Sequence, residues 1–215
     1  MIKAVVFDFD GVLAESVDIK TRAFIKLFKD QPEYVLRQIK DYHILHGGIS
    51  RYEKFRYYYK NLLKEELTSD KKRELSERFS QIVLEEVIAS PWVAGAKETL
   101  DALKGRVAMF VASGTPHEEL ILIIEKRGMK EYFSGVYGIP DTKAQILMKI
   151  IEKLGITPDE LVMVGDAMSD FLAAKEVKAR FIGRTTNGDD TFVGKNVRIV
   201  SDLSGVSDVI LGLEN

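Results

Sequence analysis

The sequence has no cysteine, which excludes a disulfide framework and any thiolate metal site and fits a reducing compartment. It also lacks a charge excess: 31 Lys+Arg against 33 Asp+Glu leave a net charge of −2. Nucleic acids and acidic membranes reward a concentrated positive field, so neither is an expected partner and a small solute is. No apolar run approaches the ~18–20 residues needed to cross a bilayer. The opening Met1-Ile2-Lys3-Ala4-Val5-Val6-Phe7 meets Asp8 and Asp10 too early for a signal peptide, so a cytoplasmic location is expected. Internal repeats and low-complexity tracts are missing too. What is present, 46% hydrophobic and 30% charged residues in 215, suits one large core with a small second unit attached and excludes the disordered and fibrous classes.

Residues 2–7 read as a buried strand, because a short β-branched apolar run suits the centre of a parallel sheet. From about Ser16 to Ala89 the spacing turns helical, with Phe24, Leu27 and Phe28, then Val35, Leu36 and Ile39, then Phe55, Leu62 and Leu63, then Leu75, Phe79, Ile82 and Val83. A block with its own apolar faces inserted after the first strand reads as a lid. After Ser90-Pro91 helix and strand alternate: helices 95–104, 116–127, 143–154 and 170–177, strands 107–112, 161–165, 180–183 and 197–200. That order predicts an α/β fold, a parallel sheet covered by helices, with its site at the carboxyl ends of the strands. Asn187-Gly188-Asp189-Asp190 reads as a turn-rich loop.

Four segments carry chemistry. Asp8-Phe9-Asp10-Gly11 ends the first strand, where carboxylates one residue apart can face the same side. Alone, the pair serves equally well as helix caps, but two anions beside a buried strand call for a cation or for anionic chemistry. Ser113-Gly114-Thr115-Pro116 runs from a strand into a helix, with Thr115 as the expected N-cap and Pro116 at the first helical position, a ready phosphate cradle or, taken alone, equally well a plain helix cap. Thr142-Lys143 opens a helix with a charge that opposes the helix dipole, a penalty that a bound anion reverses, though a lone lysine there is more often solvated surface. Gly165-Asp166 ends a strand and can supply a hard oxygen ligand; Asp170 follows at a helix start, able to bind a metal water or orient Lys143, or else to serve only as a helix cap.

Together these segments, with Phe7-Asp8-Phe9-Asp10-Gly11-Val12-Leu13, Ala14-Glu15-Ser16, Pro91-Trp92-Val93-Ala94-Gly95-Ala96 and Tyr132-Phe133, resemble the haloacid dehalogenase superfamily. The likeness is to its phosphoglycolate phosphatase and β-phosphoglucomutase branch. The resemblance implies a Rossmann-like core of residues 1–14 and 91–215 and a helical cap of residues 15–90. It implies Asp8 as nucleophile toward phosphorus and Asp10 as the acid and base that serves the leaving alcohol and the water. Magnesium would be held by Asp8, Asp166 and the backbone carbonyl of Asp10, and the phosphoryl oxygens by Ser113, Gly114, Thr115 and Lys143.

Asp10 argues against a dehalogenase, which needs no acid two residues after its nucleophile. Within the cap, His46-Gly47-Gly48-Ile49-Ser50-Arg51 is a Gly-Gly turn ending in a cation. Arg51 and His46 are therefore candidate substrate contacts, weighed against an exposed arginine at a helix start. The expected reaction is hydrolysis of a small phosphate monoester, phosphoglycolate or a sugar phosphate, by a monomer or homodimer. A phosphosugar mutase would use the same core residues and remains open, as does a non-catalytic member of the superfamily. A signalling receiver domain fits poorly, since it carries its phosphoacceptor on a later strand and no helical lid.

Overall fold

The computed structural model describes residues 1–186 and 190–213; most of the loop expected at 187–190 lies outside them. Among the described residues six parallel strands form one sheet in the order β3-β2-β1-β4-β5-β6. They are β1 (Ala4–Phe7), β2 (Ala108–Pro116), β3 (Gly135–Ile139), β4 (Leu161–Gly165), β5 (Arg180–Arg184) and β6 (Arg198–Val200). Central β1 pairs with β2 on one side and β4 on the other, Phe7 lying opposite Val111 and Val164.

The two-residue alternation of an extended chain sends successive side chains of these strands into two separate cores. Val5, Phe7, Met109, Val111, Val162 and Val164 belong to one cluster. Ala4, Val6, Phe110, Ala112, Leu161 and Met163 join the other, with α7 (Lys143–Leu154) and α8 (Met168–Val177) over them. Burial on both faces is why β1 reads as a continuous apolar run.

The first core extends through α5 (Ala96–Leu103), α6 (His117–Lys126) and α9 (Val206–Leu211) into the helices between β1 and α5. These are α1 (Val17–Leu27), α2 (Glu33–Leu45), α3 (Arg51–Tyr57), which continues into a π-helical stretch Tyr58–Leu63, and α4 (Ser69–Ala89). The apolar faces expected there meet at Phe24, whose ring lies 4.4 Å from Phe79, 5.8 Å from Tyr58 and 6.0 Å from Phe55. The chain leaves and returns side by side: Ala14 bridges Trp92, Glu15 donates its N–H to Pro91 at 3.0 Å, and Val93 donates to Leu13 at 3.2 Å.

Two expectations need correction. β2 runs on through Pro116, with a break in its register against β3 between Ala112 and Pro116, so α6 begins at His117. Pro116 takes the cap position, and Thr115 is extended backbone rather than an N-cap. Strand β3 was not expected at all, because two of its five residues are glycine and the alternation is weak. Among the described residues no helix is long and apolar enough to cross a membrane.

Candidate active site

The order of the sheet reverses at β1, and the carboxyl ends of β1, β2 and β4 open on one crevice there. Asp8 directly follows β1 and is 2% exposed. Its Oδ1 accepts the Phe9 N–H at 2.7 Å and its Oδ2 accepts Lys143 Nζ at 2.9 Å. Lys143 stands at the first position of α7, where Thr142 and Gln145 close a reciprocal capping box. It is buried, contrary to the solvated lysine that is commonest at such a place, and also donates to Asp170 Oδ1. Asp170 Oδ2 accepts the Ala167 N–H at 3.0 Å. Two carboxylates thus offset the dipole penalty on Lys143.

Asp166 follows β4, and carboxylate oxygens of Asp8, Asp166 and Asp170 all lie within 4.8 Å of one another. Burial pushes the Asp8 carboxyl up to about 7, with Asp170 and Asp10 adding repulsion that Lys143 only partly offsets. Burial, then Asp8 and Asp170, raise Asp166 well above the usual carboxylate range. Three crowded acids sharing one lysine form a hard-oxygen donor set short of positive charge, which fits a divalent cation such as magnesium. The backbone also makes room for these oxygens: Gly11 has φ +74°, and a Cβ there would stand 2.0 Å from Asp166 Oδ2.

Asp10 turns elsewhere. Its Oδ1 accepts Ser16 Oγ at 2.6 Å and its Oδ2 accepts Lys20 Nζ at 2.5 Å. Burial works against its charge, but Lys20 and Ser16 outweigh burial and hold the carboxyl below its usual range. Lys20 also donates to Thr115 Oγ1 at 2.8 Å, and Ser113 Oγ accepts the Thr115 N–H at 3.1 Å. The helices close directly over this loop, for a Cβ on Gly114 would lie 2.7 Å from the Gly48 carbonyl. Ser169 Oγ donates to the Gly47 carbonyl at 3.1 Å from the other side.

A cavity of about 790 Å³ results, lined by Asp8, Asp10 and Asp166 at the strand ends and by His43, Arg51 and Lys54 from the helices α2 and α3. Gly114 and Thr115 line it as well, while Ser113 and Lys143 line an adjoining cleft. Arg51 is not the exposed residue considered as its alternative. It is 4% exposed and donates to Glu119 Oε1 at 2.5 Å and to Ser80 Oγ at 2.7 Å, its guanidinium 4.6 Å from the Phe79 ring centre. His46 stacks on Tyr42 at 3.9 Å and hydrogen-bonds the Tyr42 carbonyl, outside the residues lining the cavity.

Sequence reasoning passed over four groups here. Lys20 lies one helical turn after Ser16, a spacing that places both over Asp10 and could have revealed it. His43 and Lys54 sit on different helices, and no motif links them. Arg184 donates to both carboxylate oxygens of Glu15, at 2.7 and 3.2 Å, and to the Gly11 carbonyl at 2.8 Å, a partnership that only β5 brings about.

Comparison with known proteins agrees with this geometry. The family profile described as haloacid dehalogenase-like hydrolase matches residues 2–178. A phosphorylated carbohydrates phosphatase of Thermotoga maritima is 26% identical over 186 residues, 81% of each chain. A phosphoglycolate phosphatase of Vibrio vulnificus is 28% identical over 98% of this chain and 96% of its own. Among solved structures, a hydrolase from Pseudomonas syringae superposes with a TM-score of 0.78 at 20% identity, over 99% of this chain and 100% of its own. A phosphoglycolate phosphatase of Haemophilus somnus, so described from prediction, gives 0.75 at 22% identity over 97% of each chain. The chain belongs to the haloacid dehalogenase-like hydrolases, in their phosphatase branch.

Proposed function

We propose that the protein hydrolyses a small phosphate monoester in a magnesium-dependent reaction, with Asp8 as the nucleophile. Residues 15–90 serve as a cap over a core of residues 1–14 and 91–215. The observation that carries this reading is the division of labour between the two carboxylates of the first motif. Asp8 sits among the buried acids with Lys143 beside it, whereas Asp10 is held apart by Lys20 and Ser16.

Asp8 attacks phosphorus in line, the alcohol departs, and water then cleaves the aspartyl phosphate. Asp10 protonates the alcohol and later takes a proton from the water. Incoming phosphoryl oxygens compete for Lys20 and Thr115, which loosens Lys20 from Asp10 and raises the proton affinity of that carboxylate before it acts as an acid. Ser113, the Gly114 and Thr115 N–H groups and Lys143 hold phosphoryl oxygens and spread the developing charge. Asp170 positions Lys143. Asp8, Asp166 and the Asp10 carbonyl would hold magnesium, which would supply neutralising charge for two anions brought together. The cap excludes water from the cavity during transfer.

The test is phosphate release from a panel of monoesters, with magnesium or with chelator, by the wild type and Asp8→Asn. Release that needs the metal and is lost in Asp8→Asn is the expected outcome. Unchanged release by Asp8→Asn would remove the nucleophile from this scheme.

A further inference from the structure

Four lysine and arginine side chains line the cavity: Lys20, Arg51, Lys54 and Arg184. Three have a carboxylate partner, Lys20 with Asp10, Arg51 with Glu119 and Arg184 with Glu15. Lys54 has none. It is 3% exposed, and its Nζ meets His43 Nδ1 at 2.7 Å and the His43 carbonyl at 3.4 Å, 5.6 Å from the Phe24 ring centre. Among the described residues no carboxylate lies within ion-pairing distance of it.

A buried ammonium without an anion is costly, and a chain that folds around one leaves a place where an anion is favoured. Burial, with repulsion from Lys20, lowers the Lys54 amine to about 7; a ligand anion would reverse that shift. Burial and Lys54 keep His43 neutral, down to about 3. Its Nδ1 faces the ammonium as an acceptor, so its proton is on Nε2 and the ring offers one further donor. Lys54 and His43, which line the same cavity as Asp8 but come from the helices between β1 and α5, therefore offer a charge to which the phosphoryl scheme above assigns no role.

Resting on the phosphatase reading, we infer that Lys54, backed by His43, binds a second anionic group on the substrate. The preferred substrate is thus a phosphate monoester whose far end carries a carboxylate or a second phosphate, rather than a neutral hydroxyl.

The inference is tested at pH 6.5 with pairs that differ in that end alone. The carboxylate arm compares 2-phosphoglycolate with 2-hydroxyethyl phosphate, and the phosphate arm compares fructose 1,6-bisphosphate with fructose 6-phosphate. The expected result is a kcat/KM at least tenfold higher for the charged member of one pair in the wild type. Lys54→Met and Lys54→Gln should each lower that ratio about tenfold. A wild type indifferent to the far end, or a preference that survives both substitutions, overturns the inference. p-Nitrophenyl phosphate, which has no second anion, reports the phosphatase reading separately.

If no ester is turned over, that reading fails and Lys54 is judged by calorimetric binding of 2-phosphoglycolate and fructose 1,6-bisphosphate. The comparison is Asp8→Asn against Asp8→Asn with Lys54→Met. A tenfold loss of affinity for either compound supports the role, and equal affinity or no binding of either overturns it.

Discussion

The Lys54 amine and the His43 ring are both more easily deprotonated in the folded chain than in the unfolded one, and this makes stability depend on pH in a stated direction. Lys54 falls from 10.5 to about 7, so between those values the unfolded chain holds a proton that the native chain has released. Stability then rises with pH by about 1.4 kcal/mol per unit. Below about 7 both states are protonated and the full penalty remains. The groups that face Lys54 are His43, Lys20, Lys143, Asp10 and Asp166. His43, already neutral, does not titrate in that window. Urea unfolding from pH 7 to 10 should show wild type gaining on Lys54→Met along this slope; parallel curves for the two proteins would mean that Lys54 keeps its proton on folding. At the same scale, Asp10→Asn is expected to lower kcat by ~10²–10⁴-fold, measured by steady-state phosphate release, with the protein still folded because the amide oxygen can accept from Lys20 while its NH2 donates to the Ser16 hydroxyl, which can accept as well as donate.

Between elements, the helical block and the sheet domain are joined by buried polar ties as well as by packing. Arg51 at the start of α3 reaches Glu119 on α6, with Ser80 of α4 donating to the same carboxylate at 2.5 Å. Arg127, just beyond α6, donates to the carbonyls of Val87, Ile88 and Ser90 at 2.8–2.9 Å and so satisfies the C-terminus of α4. Removing one member of a buried ion pair leaves the other unpaired, at a cost of about 3–5 kcal/mol, while replacing both by apolar groups is often neutral. Arg51→Met should therefore destabilise the protein by that amount in urea unfolding, and Arg51→Met with Glu119→Leu should recover most of it. A double variant no better than the single one would count against pairing as the cause.

For the molecule as a whole, magnesium bound to the buried acids as proposed would bind the native state and not the unfolded chain, so binding and folding would be linked. Magnesium at a hundredfold excess over its Kd should stabilise the wild type by about 2.7 kcal/mol, and Asp166→Asn should abolish most of that gain; thermal unfolding with and without chelator measures both. Much of this arrangement was legible in the chain itself. The apolar run before Asp8, the helical periodicity from Ser16 to Ala89 and the acids at strand ends follow from local pattern, because burial on a strand or helix face imposes a period on the sequence. Strand β3 was hidden by its glycines, and the helix-cap reading of Thr115 failed because pairing with β3 keeps that loop extended. The sequence alone determined the class of fold, the helical insertion and the carboxylates brought to the crevice. Tertiary structure alone decided that Arg51 is spent on Glu119, that Lys20 reaches Thr115, and that Lys54 lines the cavity with no described carboxylate at ion-pairing distance. Such pairings join residues as far apart as 20 and 115 or 51 and 119, and side-chain electrostatics across those separations exists only once the sheet has brought the helices together.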